Sequence, residues 1–210
     1  NGDGELSLPY GVATDSEGHL YVADTWNYRI QKFMSEGQFT AKWWSGGIGE
    51  GQFDSPQGIA IDSSGNLYVA DTYNDRVQKF ASNGQFISEW GRSRLFAPSD
   101  IAIDGSGSIY VADDLNSLIQ KFASNGQFIT NWGSSGDGDG QLNLPSGIAV
   151  DVNANVYVAD TWNHRIQKFT SDGQFITKWG SQGTGDGQFD WPSGVAIDGR
   201  GDVYVADTNN

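Results

Sequence analysis

Asp and Arg stand five residues apart three times in this 210-residue chain, as Asp24 and Arg29, Asp71 and Arg76, and Asp160 and Arg165. A carboxylate beside a guanidinium can hold an anionic substrate or tune a proton transfer when the pair is buried in a cleft. Recurrence points to another role. An active site is built once, whereas a charge-assisted hydrogen bond that fixes a loop or joins neighbouring units is needed in every copy. The six residues are therefore expected to be structural. Other reactive groups are sparse. The two histidines, His19 and His164, are too few to build the multi-His site of a zinc hydrolase. The absence of Cys removes thiolate catalysis, disulfides and Cys-ligated zinc. The run GDGDG at 136–140 brings Asp137 and Asp139 together as in a calcium loop. Position 12 counted from Asp137 is Ile148, where an EF-hand needs a bidentate Glu. Asp137 and Asp139 are thus the nearest approach to a metal site, and the reading is of no metal site, no cofactor and no catalytic residues.

A formal net charge of −14 argues against nucleic acid and anionic lipid, whose binding depends on Lys and Arg neutralising phosphates. No apolar run approaches the ~20 residues of a membrane span, so membrane insertion is not expected. With 29 glycines and an aromatic share of 13 %, the composition suits short strands and tight turns.

The elements that must position these groups repeat. Pro9, Pro56, Pro98, Pro145 and Pro192 open successive copies spaced 47, 42, 47 and 47 residues apart. Such a period without helical patterning predicts propeller blades. The second copy, 55–91, shows four strands. The first, 58–62, is made of small residues and stops at a Ser-Ser-Gly-Asn turn. The second, 67–71, is nearly continuous in apolar residues, as in a strand covered on both faces. The third, 76–80, and fourth, 85–90, alternate and are joined by the hairpin 81–84. The third copy departs from the pattern: five residues are deleted before Pro98, Asp100 replaces Gly, Asp114 replaces Thr, and Leu118 replaces Arg. The chain begins with Asn1-Gly2-Asp3-Gly4, read as the tail of a linker, and the fifth copy carries two strands.

Each full copy reads P-x-[GD]-[IV]-A-x-D, then [LIV]-Y-V-A-D-[TD]-x-N-x-x-[IV]-Q-K-F, then x-S-x-G-Q-F and a Trp. Over essentially the whole chain this resembles the NHL repeat, a β-propeller module. The resemblance implies an all-β fold of four-stranded antiparallel blades, four full and one partial, in one propeller domain over 1–210. The blades are expected at about 9–45, 55–91, 97–133, 144–180 and 191–210. It also implies a range of roles, because NHL propellers serve as scaffolds, ligand sensors, RNA binders and, rarely, enzymes.

Antiparallel order places the inter-blade linkers and the Asp-Thr-x-Asn-x-Arg loops on one face of the blades. The Asp-x-x-Gly turns and Ser-x-Gly-Gln hairpins lie on the other. Within the first set Trp26, Tyr28, Tyr73, Trp162 and His164 vary among copies, and they are the expected ligand-binding residues, aromatics able to stack on sugar rings or peptide side chains. The inner strands lack the Glu and Asn that a calcium-dependent lactonase would project inward. The reading is therefore of a non-catalytic protein- or ligand-binding scaffold in an oligomeric or filamentous surface assembly. A carbohydrate- or peptide-binding sensor is the alternative, and a lyase- or lactonase-type propeller enzyme is set aside. The expected partner is a protein or carbohydrate, or further copies joined head to tail through the open edge of the fifth blade. An acidic, Cys-free, repeat-built chain is expected outside the cell or on its surface.

Overall fold

The structure, a computed structural model, describes residues 2–43 and 45–210; Asn1 of the expected linker lies outside them. Four four-stranded antiparallel sheets and one two-stranded sheet follow in chain order. The first comprises β1 (Val12–Thr14), β2 (Leu20–Asp24), β3 (Arg29–Phe33) and β4 (Phe39–Trp43). The second comprises β5 (Pro56–Ile61), β6 (Leu67–Asp71), β7 (Arg76–Phe80) and β8 (Phe86–Trp90). The third is built from β9 (Pro98–Ile103), β10 (Ile109–Asp113), β11 (Leu118–Phe122) and β12 (Phe128–Trp132). The fourth holds β13 (Pro145–Val150), β14 (Val156–Asp160), β15 (Arg165–Phe169) and β16 (Phe175–Trp179), and the fifth β17 (Pro192–Ile197) and β18 (Val203–Asp207). This is the β-propeller architecture. The inner strand of the second blade starts two residues before the expected Gly58, at Pro56 itself. The Asp-Thr-x-Asn loops of blades one, two and four are single 3-10 turns, Thr25–Asn27, Thr72–Asn74 and Thr161–Asn163.

Contacts divide the chain into two compact units, Asn1–Asp100 and Ile101–Asn210. The core of the first gathers Tyr21, Ala23, Ile30, Phe53, Ile59, Leu67, Val69 and Phe80. That of the second gathers Tyr110, Ile119, Trp132, Leu142, Ile148, Val156, Val158 and Phe169. Every residue of β6, β10 and β14 is buried, which is why the Tyr-Val-Ala-Asp strands carry apolar residues without alternation. Inner strands approach each other backbone to backbone. A Cβ on Gly11 would sit 2.2 Å from the Gln57 carbonyl oxygen, and one on Gly147 would sit 2.6 Å from that of Ser193. Glycine is required there because no side chain fits.

On one face of the blades each inner strand ends in an Asp that closes its turn. Asp62 accepts the Ser64 and Asn66 amides, each at 2.9 Å, and the Tyr68 hydroxyl at 3.0 Å. Lys79 Nζ lies 4.9 Å from the centre of the Tyr68 ring, and Lys32, Lys121 and Lys168 cover Tyr21, Tyr110 and Tyr157 in the same way. In the first blade His19 joins this arrangement, with Nδ1 2.9 Å from Asp15 Oδ2. The shortened linker before Pro98 closes as a tight turn, in which the Leu95 amide donates to the Gly91 carbonyl at 2.9 Å and the Leu95 side chain is buried.

Candidate functional site

The recurring Asp and Arg face each other across strands two and three. Arg29, Arg76 and Arg165 donate from Nε to Asp24, Asp71 and Asp160 at 2.7, 2.6 and 2.7 Å. All three carboxylates are fully buried. Each accepts further bonds, those of Asp71 coming from Asn74, Gln78 and the Asp54 amide. The Arg heads continue into the linker that precedes their own blade. Arg76 Nη2 donates to the Gly49 and Gln52 carbonyls at 2.8 and 2.7 Å, and Arg165 Nη2 to those of Gly138 and Gln141 at 2.8 and 2.9 Å. Burial opposes the charge on Asp24, but the Ser7 amide, Arg29, Asn27 and Gln31 outweigh it, and its acidity ends below the ordinary carboxylate range. With their polar groups consumed in this way, the pairs act as clamps on the linker.

The third blade lacks the clamp. Asp113 keeps its bonds from Asn116 and Gln120, but Leu118 stands where Arg does elsewhere. The neighbouring Asp114 occupies the position of Thr25, Thr72 and Thr161, whose hydroxyls donate to the carbonyls of Pro56, Pro98 and Pro192 in the following blade at 2.7, 2.8 and 2.8 Å. An ionised carboxylate cannot make that donation. Asp114 Oδ1 is buried without a hydrogen-bond partner among the described residues, and burial, assisted by the Asp113 charge, pushes the acid up to about 6.

The expected ligand-binding residues fall into two kinds. Trp26, Tyr73 and Trp162 each follow the turn Thr, tie their backbone N–H to the linker carbonyls of Ser7, Asp54 and Asn143 at 3.1–3.2 Å, and leave their rings in solvent, 66, 69 and 50 % exposed. Tyr28 and His164 end the turns in the left-handed conformation, φ 53° and 51°, which directs their side chains at the next linker. In the first unit Tyr28, Gly46, Gly47, Phe53 and Asp54 line an open depression of about 200 Å³.

The corresponding place in the second unit holds a cluster that sequence reasoning only half identified. His164 Nδ1 lies 3.3 Å from the Trp191 amide and 3.4 Å from Asp190 Oδ1, with the side chain 12 % exposed. The Trp191 ring meets Trp162 edge to face at 4.8 Å between centroids and His164 at 5.8 Å. Trp191 was legible in one respect only, as the single aromatic among Leu8, Ser55, Ala97, Leu144 and Trp191, the residues before the five prolines. The structure thus joins Trp162 and His164 through Trp191. Asp137 and Asp139 do not converge: the Asp137 carbonyl accepts Arg165 Nη1 at 2.6 Å, and Asp139 pairs with Lys178 at 2.6 Å. No group of three or more His, Asp or Glu placed to hold a metal ion occurs among the described residues.

A 42-residue stretch is 45 % identical to protein lin-41 of Caenorhabditis elegans, covering 20 % of this chain and 4 % of that protein's length. Among solved structures, a catalytically inactive His-to-Ala variant of virginiamycin B lyase from Staphylococcus aureus with quinupristin superposes with a TM-score of 0.73 at 14 % identity. The match covers 95 % of this chain and 63 % of that one. A putative gluconolactonase gives a TM-score of 0.73 at 16 % identity over 95 % of this chain and 71 % of that one. At such identities the likeness is one of fold. It nevertheless corrects the expectation of a non-catalytic module, since this architecture is shared with lyase- and lactonase-type propellers. The expectation rested on too few histidines for a zinc hydrolase and on inner strands without Glu and Asn, grounds that set aside two chemistries and not catalysis by the architecture as a whole. The NHL repeat model matches residues 6–33, 53–80, 142–169 and 189–210, and the chain belongs to the NHL repeat family.

Proposed function

We propose that this chain is part of a propeller enzyme performing acid–base chemistry of the lyase or lactonase type, on a ring-containing organic substrate held against Trp162 and Trp191. The observation that carries this reading is the double partnering of His164 Nδ1, with the Trp191 amide at 3.3 Å and Asp190 Oδ1 at 3.4 Å. When Nδ1 accepts the Trp191 amide, the neutral ring carries its proton on Nε2 and serves there as a hydrogen-bond donor. When Nδ1–H turns to Asp190, Nε2 is free to take a proton, and the carboxylate stabilises the imidazolium that results. The imidazolium then returns that proton from Nε2 to a leaving oxygen, so the same atom acts first as base and then as acid. The exposed Trp162 ring and the edge-on Trp191 ring offer apolar surface beside it. No other described blade has this set: the residues equivalent to His164 are Tyr28, Asp75 and Ser117.

The test is ring opening, followed by mass spectrometry, of a panel of aliphatic lactones and cyclic depsipeptides by the full chain. Turnover that falls about 100-fold or more in His164→Gln, with the fold retained by circular dichroism, is the expected result. Turnover unchanged in His164→Gln, or no ring opening across the panel, overturns the reading.

A further inference from the structure

We propose that a cavity of about 330 Å³ between the first two blades binds a neutral polyhydroxylated ligand the size of one sugar ring. Its walls come from the turn 15–17 between β1 and β2, the turn 63–65 between β5 and β6, and residues 82 and 83 of the hairpin between β7 and β8. Lys32, on β3, completes them. Every side chain on the wall belongs to Asp, Glu, Lys, Ser or Asn, and the remaining residue is Gly65. Small-molecule pockets are ordinarily apolar with a few polar groups, so a wall that is polar throughout suits a ligand that is polar on all sides. The volume lies at the low end of the about 300–1,000 Å³ of such pockets, which limits the ligand to about one ring.

The cavity departs from the repeat. In the second unit the groove between the third and fourth blades is bridged, with Lys121 Nζ donating to the Ser171 carbonyl at 2.9 Å. Ser82 stands at the place of Ser171, but Lys32 keeps its ammonium 3.6 Å from Asp15 Oδ2, its side chain 18 % exposed. The sequence differs at the same place: Glu17 and Ser63 line the cavity where Ser106 and Val152 stand in the second unit. Charge then selects the ligand. Burial opposes the charge on Asp15, but the His19 side chain at 2.9 Å and the His19 and Glu17 amides outweigh it and hold the acid below the ordinary carboxylate range. An incoming anion therefore meets Asp15 and Glu17 as like charges, and a metal ion approaching Asp15 meets the Lys32 ammonium. A neutral polyol meets neither penalty. Its hydroxyls both donate and accept, so they can donate to the two carboxylates and accept from Lys32, the Ser64 hydroxyl and the Asn83 amide. The Asn83 side-chain oxygen already accepts the Gln85 amide at 3.0 Å, which leaves its NH₂ as the donor.

The experiment titrates the isotope-labelled full chain, followed by amide chemical shifts, with glucose, galactose, myo-inositol and the methyl glycosides of the two sugars. Concentrations run to about 100 mM, roughly a hundredfold above a millimolar dissociation constant. Calcium chloride and sodium phosphate serve as ionic probes. Saturable shifts at Ser16, Gly65 and Asn83 with at least one polyol are expected. Affinity should be at least about fivefold weaker in Ser63→Val, which imitates Val152, and in Glu17→Gln, since each loses a hydrogen bond. Both positions are exposed, so neither change disturbs the fold. A methyl glycoside that binds like its sugar supports the proposal with a glycan end as the source, and one that fails where the sugar binds supports it with a free sugar. No saturation by any polyol, saturation that shifts other amides, affinity unchanged in either variant, or shifts with calcium or phosphate alone overturns it. The cavity shares no residue with the His164 cluster, so its failure leaves the acid–base reading standing.

Discussion

Replacing Asp114 by Thr should stabilise the protein, and only above the pH at which this acid ionises. In the other blades the equivalent hydroxyl donates to a proline carbonyl of the next blade; here a buried carboxylate stands in that place beside Asp113. Burial and that neighbour raise the acid from 3.8 to about 6. The folded state therefore holds a proton between those values that the unfolded state has released. Stability from this group is full below 3.8 and falls as pH rises through about 6. The ionised form is disfavoured by at most about 3 kcal/mol. Partial exposure of the side chain reduces this to on the order of 1–2 kcal/mol. A chain of this length shifts its melting point by roughly 2–4 °C per kcal/mol. Asp114→Thr should therefore melt about 3–6 °C above the parent near pH 7.5, and the gap should shrink towards zero near pH 4. Thermal unfolding followed by circular dichroism across that range, with Asp114→Asn as the uncharged control, measures it. The remaining carboxylates titrate alike in both proteins and cancel. A gap of the same size at both ends of the range, or none at either, refutes the argument.

Two further outcomes follow. Arg76→Leu, which imitates the natural Leu118, should cost about 3–5 kcal/mol in denaturant unfolding, because Asp71 is left fully buried without its counter-charge. A loss below about 1 kcal/mol would show that the clamp contributes little. The double change Trp26→Ala and Tyr73→Ala should leave the unfolding midpoint within about 0.5 kcal/mol of the parent. Both rings are more than 60 % exposed, and a large fall would mean that they pack between blades.

The blades were legible because their strands carry their environments in their composition. Leu67-Tyr-Val-Ala-Asp71 has no polar face because both of its faces are covered, whereas Phe128–Trp132 alternates in burial because one is not. The 3-10 turns were not legible, since Thr-x-Asn is as compatible with an open loop, and it is the left-handed residue after each turn that closes it. The reach of each Arg was hidden for a different reason. Its carbonyl acceptors lie 24–28 residues earlier in a linker whose sequence shows no partner for a cation, because the partner is backbone. The His164 cluster was half visible. A lone His and a variable Trp stand out against their repeats, but Asp190 and Trp191 are brought to them only by the fold of the intervening linker.

The Arg clamp also decides where this chain can be cut. Because Arg76, Gln78 and Asp71 all reach back to residues 49–54, the hydrogen-bonded module runs from linker to third strand, roughly 45–80, and is out of step with the blade. The family model ends its matches in the same phase, at 80 and 169, and begins them inside the linker, at 53 and 142. A backbone break in the hairpin 81–85 severs only the turn between β7 and β8, whereas a break inside 49–54 releases the two carbonyls that hold a buried guanidinium. A protease nick at 83 should therefore leave the parent's cooperativity of unfolding intact where one at 51 loses it.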